Sequence, residues 1–254
     1  MDINLMVLNV GNTRLAMGIF VKGEMELVKR VDIAARGEWE AVIKEGWALI
    51  ANQEDPSIAG ASVNPGALEG VENIVQLVTG KNVEWVGTEI DLSRKILTDN
   101  PKETGIDRVL GVMAAHEQIG KACVVVDAGT AVTINCCDDK GNFIGGAIAP
   151  GVEMMLRALS EQTAKLPKVE FAEPTEIFPK STTEAIRSGV YYAIRGMVKE
   201  VIENFATELG NWPELIATGG DGEKLFANWE LVHAISPDLV LYGIALAYAE
   251  NYAS

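Results

Sequence analysis

A chain of 254 residues, 48% hydrophobic and 22% charged, is long enough for one large α/β domain or two small ones and lacks the biased tracts that mark disorder. Its formal net charge of −15 repels nucleic acid, and no Lys/Arg cluster offsets that field, which disfavours a nucleic-acid partner. The apolar stretches are broken well before the roughly 18 residues a membrane span requires, and the start, MDINLMVLNVGNT, lacks the basic region of a signal peptide. A cytoplasmic location without a membrane partner is expected. The three cysteines, Cys123, Cys136 and Cys137, have no metal-ligand spacing and read as reduced core thiols.

Along the chain, Leu5 to Phe20 reads as two short strands around a Gly-Asn-Thr turn, and Met25 to Val31 as a third after Lys22-Gly23-Glu24. Helical periodicity follows in Gly37 to Gln53, then a strand at Ser57 to Val63, a helix near Ala67 to Val78 and a strand at Val83 to Val86. A helix through Val109 to Glu117 leads to a second run of strands, Cys123 to Asp127, Ala131 to Cys137 and Phe143 to Ala149. Helices are expected at Glu153 to Lys165 and Ser188 to Leu209, a strand at Glu214 to Thr218, and an amphipathic helix at Asp238 to Asn251.

The second run repeats the first. At a constant offset of 118, Asn9 falls on Asp127, Gly11 on Gly129, Asn12 on Thr130 and Gly23 on Gly141, with apolar strands flanking both sets. The expected architecture is therefore α/β, a duplicated ribonuclease H-like βββαβαβα unit as in the actin, Hsp70 and sugar kinase group. Its halves would be 1–117 and 118–254, with ligands in the cleft between them.

Four segments carry candidate chemistry. Asn9-Val10-Gly11-Asn12-Thr13 places a glycine and hydrogen-bonding side chains at a strand turn, which suits a phosphate loop and equally suits a plain hairpin. Asp127-Ala128-Gly129-Thr130 ends an apolar strand with a carboxylate, which points to a cation site or to an Asp that caps its own turn. Ala217-Thr218-Gly219-Gly220-Asp221 offers glycines after a strand for a phosphate or an adenine. Asp107 and Arg108 stand in the first turn of a helix, where Asp107 can accept a hydroxyl proton and Arg108 can pair with a carboxylate or phosphate; a helix-start Asp with a solvated Arg is the alternative. No Walker sequence and no protein-kinase motif set occurs. His116 and His233 are isolated and read as structural.

The ordered blocks VGNT (Val10 to Thr13), NPKETGIDR (Asn100 to Arg108), VVDAGTAVT (Val125 to Thr133), GGAIAPG (Gly145 to Gly151), AKLP (Ala164 to Pro167) and STTEAIRSG (Ser181 to Gly189) resemble the type III pantothenate kinases, some of which were once called Bvg accessory factor transcriptional activators. The resemblance implies ATP-dependent phosphorylation of pantothenate by a homodimer whose substrate pocket is completed by the partner, with magnesium and a monovalent cation, potassium or ammonium. It places the catalytic base on Asp107, pantothenate contacts on Gly105, Ile106, Asp107, Arg108, Thr182 and Thr98, and the cation on Asp127. ATP contacts fall on Asn9, Val10, Gly11, Asn12, Thr13, Arg14, Leu15, Ala16 and Thr130. The chain departs from the family where Asn9 replaces an Asp and Thr98 replaces a Tyr. A weakened, nucleotide- or pantothenate-binding regulator and a kinase of another small hydroxylated substrate are the alternatives. The helix bearing Tyr191, Tyr192, Ile194 and Met197 is the candidate dimer surface.

Overall fold

The computed structural model describes residues 3–252. By packing, residues 3–114 with 239–252 form one unit and Ala115–Asp238 the other.

In the first unit, β1 (Leu5–Val10), β2 (Arg14–Val21) and β3 (Glu24–Asp32) form a meander, followed by α1 (Arg36–Ile50), β4 (Ser57–Ser62), α2 (Pro65–Thr79), β5 (Glu84–Trp85) and the start of α3 (Ile106–Ile119), whose residues from Ala115 onward belong to the second unit. The sheet order is β3-β2-β1-β4-β5, with β1 antiparallel to β2 and parallel to β4. Central β1 is covered on both faces, which explains its unbroken apolar sequence LMVLNV, whereas edge strand β3 alternates exposed and part-buried residues. Met6, Leu8 and Val10 pack with Trp39, Ile43 and Ile50 of α1 and Val71 and Val75 of α2. With Gly46, the buried α1 positions recur every third or fourth residue, so one stripe of the helix faces the sheet. Helix α2 has Pro65 at its start and left-handed Gly80 (φ 70°) at its end, the residues whose fixed and free backbones favour those two positions.

The second unit repeats the plan. Strands β6 (Cys123–Ala128), β7 (Ala131–Cys137) and β8 (Phe143–Pro150) are followed by α4 (Val152–Glu161), α5 (Thr182–Leu209), β9 (Glu214–Thr218), α6 (Gly222–Phe226) and β10 (Ala234–Ile235). The sheet order, β10-β9-β6-β7-β8, matches that of the first sheet strand for strand. The expected duplication is thus present in the backbone, and β1 maps onto β6 at the 118-residue offset. The hairpins differ slightly: Val10 pairs with Leu15, but Ala128 pairs with Val132, so the second turn is one residue shorter.

Three expectations are corrected. The last helix, α7 (Leu239–Tyr252), packs on β1, β2 and β4 of the first unit instead of staying with the second half. It is not amphipathic: Leu239, Leu241, Ile244, Ala245, Ala247 and Ala249 are all buried, as a helix enclosed on several sides requires. Helix α5 starts at Thr182, six residues before the expected Ser188, because Ser181 Oγ accepts from the Glu184 N–H at 3.2 Å and caps it.

The cysteines are free and buried, with Cys123 Sγ 3.4 Å from Cys137 Sγ. The Cys123 contact favours the Cys137 thiolate, while burial pushes Cys136 up to about 12. Both histidines act structurally: His116 Nε2 lies 3.1 Å from the Asp139 carbonyl, and His233 Nδ1 accepts from the Leu215 N–H at 3.0 Å.

Candidate active site

In the first unit, the Asn9-to-Ala16 segment is the β1–β2 hairpin, closed by the Gly11 N–H donating to the Arg14 carbonyl at 3.0 Å. Asn12 and Thr13 are exposed at its tip, and Leu15 and Ala16 return into the core. Asn9, next to last in β1, is partly buried, and its Oδ1 is sealed from solvent with no hydrogen-bond partner. An unmet carbonyl oxygen costs about 1–3 kcal/mol unless it receives a donor or a cation, so this atom fits a ligand at the strand end.

Asn64 also holds this hairpin, and the sequence reading missed it. Although it precedes α2, its side chain makes no cap there; its Nδ2 donates instead to the Gly11 carbonyl at 3.2 Å. Asn64→Ala removes that bond and is expected to cost about 1 kcal/mol. For a chain of this size that lowers Tm by about 2–4 °C in thermal unfolding.

Gly105, Ile106, Asp107 and Arg108 lie together at the start of α3, as expected. Asp107 Oδ1 accepts from the Arg108 N–H at 2.8 Å. Burial raises the Asp107 carboxyl above the ordinary carboxylate range, while that hydrogen bond and the Arg108 charge pull against the rise. A Cβ on Gly105 would stand 2.8 Å from Asp107 Oδ1, so a larger residue here would require the carboxylate to shift. Thr98 joins the cluster, its Oγ1 lying 2.9 Å from Thr104 Oγ1.

In the second unit, Asp127 sits at the end of β6 with Thr218 of β9 as its parallel neighbour. The chain then turns over the carboxylate at Gly219 (φ 90°), where a Cβ would fall 2.4 Å from Asp127 Oδ1. The Asp221 N–H donates to the Ala128 carbonyl at 3.0 Å, and the Gly151 N–H to the Thr130 carbonyl at 3.2 Å. The Asp127–Thr130 hairpin, Gly151 and the Gly219-Gly220 turn are therefore assembled around one strand end. Thr182, the first residue of α5, lines a groove of about 910 Å³ with Pro150, Met154, Ala185, Gly189 and Ala193.

No group of three or more His, Cys, Asp or Glu gathers as a metal cage among the described residues. Magnesium bound along with phosphates needs only one or two protein ligands. In the first unit the Asn9 oxygen is an acceptor of the kind that sparse mode uses, and in the second the turns beside Asp127 carry backbone N–H groups that suit an anion.

The chain matches the family described as type III pantothenate kinase over residues 5–204. It is 34% identical to the type III pantothenate kinase of a Parafrankia species, over 97% of this chain and 98% of that one. It is 32% identical to that of Dehalococcoides mccartyi strain 195, over 100% of both. Among solved structures, a Campylobacter jejuni protein described as a conserved Baf family transcriptional activator superposes with a TM-score of 0.64 at 21% identity, covering 98% of this chain and 100% of that one. Component A of the (R)-2-hydroxyglutaryl-CoA dehydratase of Acidaminococcus fermentans does so with a TM-score of 0.58 at 14% identity, covering 99% and 98%. These two share the fold, that of the actin-like ATPases. With a family match across most of its length and full-length relatives above 30% identity, the chain belongs to the type III pantothenate kinase family.

Proposed function

We propose that this protein transfers the γ-phosphoryl group of ATP to the primary hydroxyl of pantothenate, giving 4′-phosphopantothenate and ADP, the entry step to coenzyme A. The observation that carries the reading is the start of α3, where a carboxylate made more basic by burial stands beside an arginine in a member of this family. Asp107 accepts the hydroxyl proton as the hydroxyl oxygen bonds to the γ-phosphorus. The bond from that phosphorus to the β–γ bridging oxygen breaks, and ADP leaves with the electron pair. Arg108 pairs with the substrate carboxylate or the transferring phosphoryl group, fixing the attacking oxygen in line.

The hairpin Asn9–Ala16 and Thr130 are assigned to ATP, and Gly105–Arg108 and Thr182 to pantothenate, while the pantothenate contact expected of Thr98 gives way to its bond with Thr104. Asn9 Oδ1 would help hold magnesium and Asp127 the monovalent cation, potassium or ammonium; when bound, these ions neutralise charge on the phosphates. An ADP-release assay across pantothenate and other small hydroxylated acids tests the reading. ADP release with pantothenate well above the rest is expected, and equal release for all would contradict it.

A homodimer is part of the proposal, and the α4–α5 groove is the surface assigned to the second copy. Of the four α5 residues expected to form the dimer surface, Tyr191 and Ile194 are core and Met197 packs against it, which leaves Tyr192, 54% exposed, on the outside. The groove instead exposes Met154 and the small residues Ala185, Gly189 and Ala193, which allow close approach of another surface. Light scattering should give twice the chain mass, and Ala193→Glu should shift the protein toward monomer.

A further inference from the structure

The segment that leads into α3 is closed by a side-chain contact of its own. Thr98 Oγ1 and Thr104 Oγ1 are 2.9 Å apart, and both residues are partly buried. Between them the chain makes a short 3₁₀ turn, Pro101–Glu103, in which the Glu103 N–H donates to the Asn100 carbonyl and the Thr104 N–H to the Pro101 carbonyl. The two hydroxyls thus close a loop that ends one residue before Gly105. From there the fit is tight: the Arg108 N–H donates to the Gly105 carbonyl at 3.1 Å, and a Cβ added at Gly105 would stand 2.8 Å from Asp107 Oδ1.

We infer that the Thr98–Thr104 hydroxyl pair is a clamp that positions the Asp107 carboxylate, with Thr98 and Thr104 acting as positioning residues rather than as walls of the substrate pocket. The chain of contact is short. Thr98 holds Thr104, Thr104 fixes the entry of Gly105, and Gly105 abuts the carboxylate that Arg108 N–H also holds. A hydroxyl–hydroxyl bond is modest in itself, but displacement of a reacting group by about 1 Å costs up to about 100-fold in rate. A wall residue, by contrast, would act on substrate affinity. The catalytic consequence rests on the kinase reading; the clamp itself does not.

Thr98→Val and Thr104→Val each remove the bond while keeping the side-chain shape. With the full chain, Mg-ATP and pantothenate, kcat should fall about tenfold in either variant while KM for pantothenate moves less than twofold. The double variant should be no worse than either single one, and Thr98→Ser, which keeps the hydroxyl, should recover most of the loss. Amide exchange across residues 104–108, followed by mass spectrometry, should quicken in the valine variants and not in Thr98→Ser. Unchanged exchange, or a loss carried by KM alone, would overturn the clamp. A parent protein without turnover whose exchange still responds to Thr98→Val and not to Thr98→Ser would refute the kinase reading while upholding the clamp.

Discussion

Replacing Asp107 with Asn is expected to lower turnover by about 10²–10⁴-fold, the contribution of a well-placed general base, while leaving the protein as stable at pH 7 as the parent, or more so. The two effects share one cause. Burial disfavours the charged carboxylate, and this raises its pKa in the folded state despite the Arg108 N–H bond and charge. A carboxyl whose folded pKa lies above its unfolded value stabilises the fold most in acid, below the unfolded pKa, and that contribution is lost as pH rises through the folded pKa. At neutral pH the ionised Asp107 is therefore a local burden, accepted because its basicity serves the reaction. Asn carries no such charge, so Asp107→Asn should match or exceed the parent Tm at pH 7, and any advantage should vanish in acid. The kcat/KM profile of the parent should show an acid limb displaced upward from the ordinary carboxylate range. A large fall in Tm at pH 7 would mean that Asp107 serves the fold instead.

Asn9→Asp should tighten divalent-metal binding by about 10–100-fold in the presence of ATP, as expected when a neutral acceptor becomes a charged ligand worth about 1.5–3 kcal/mol. The carboxamide oxygen already occupies the strand end, buried and without a partner, so the substitution changes charge at nearly constant shape. Titration with manganese, followed by the loss of its free-ion EPR signal, reads affinity without relying on turnover. The half-saturating magnesium concentration of the kinase reaction should fall in parallel. Equal manganese affinity in the two proteins would place the metal away from Asn9. The native chain should accordingly need more magnesium than relatives with an aspartate at this position.

Much of the architecture is legible in local sequence. The runs LMVLNV and CVVVDA, each followed by a glycine turn, announce central strands, and their common spacing to Gly11 and Gly129 exposes the repeat. The grouping of Gly105, Asp107 and Arg108 is equally local, because all three fall at one helix start. What escaped the reading depends on contacts across the chain. The packing of α7 on the first sheet joins segments more than 200 residues apart in sequence, β1 at Leu5–Val10 and α7 at Leu239–Tyr252, and no local pattern reports which sheet a helix will cover. Asn64 looked like an ordinary residue before a helix, and only the fold shows its amide turned to Gly11, 53 positions away. The α5 start is different: Ser181 and Glu184 are a capping signature visible in the sequence, outweighed by the apolar periodicity that begins further along. The Thr98–Thr104 contact also needed the intervening 3₁₀ turn to bring the two hydroxyls together.

The central claim is tested most directly by isolating the product that the purified protein forms from pantothenate and ATP in magnesium and potassium, and locating its phosphate by phosphorus–proton NMR. Phosphate on the primary hydroxyl of pantothenate, formed by the parent and reduced at least 100-fold in Asp107→Asn, is the predicted result; no phosphorylated pantothenate from the parent, or equal yield from both proteins, would contradict it.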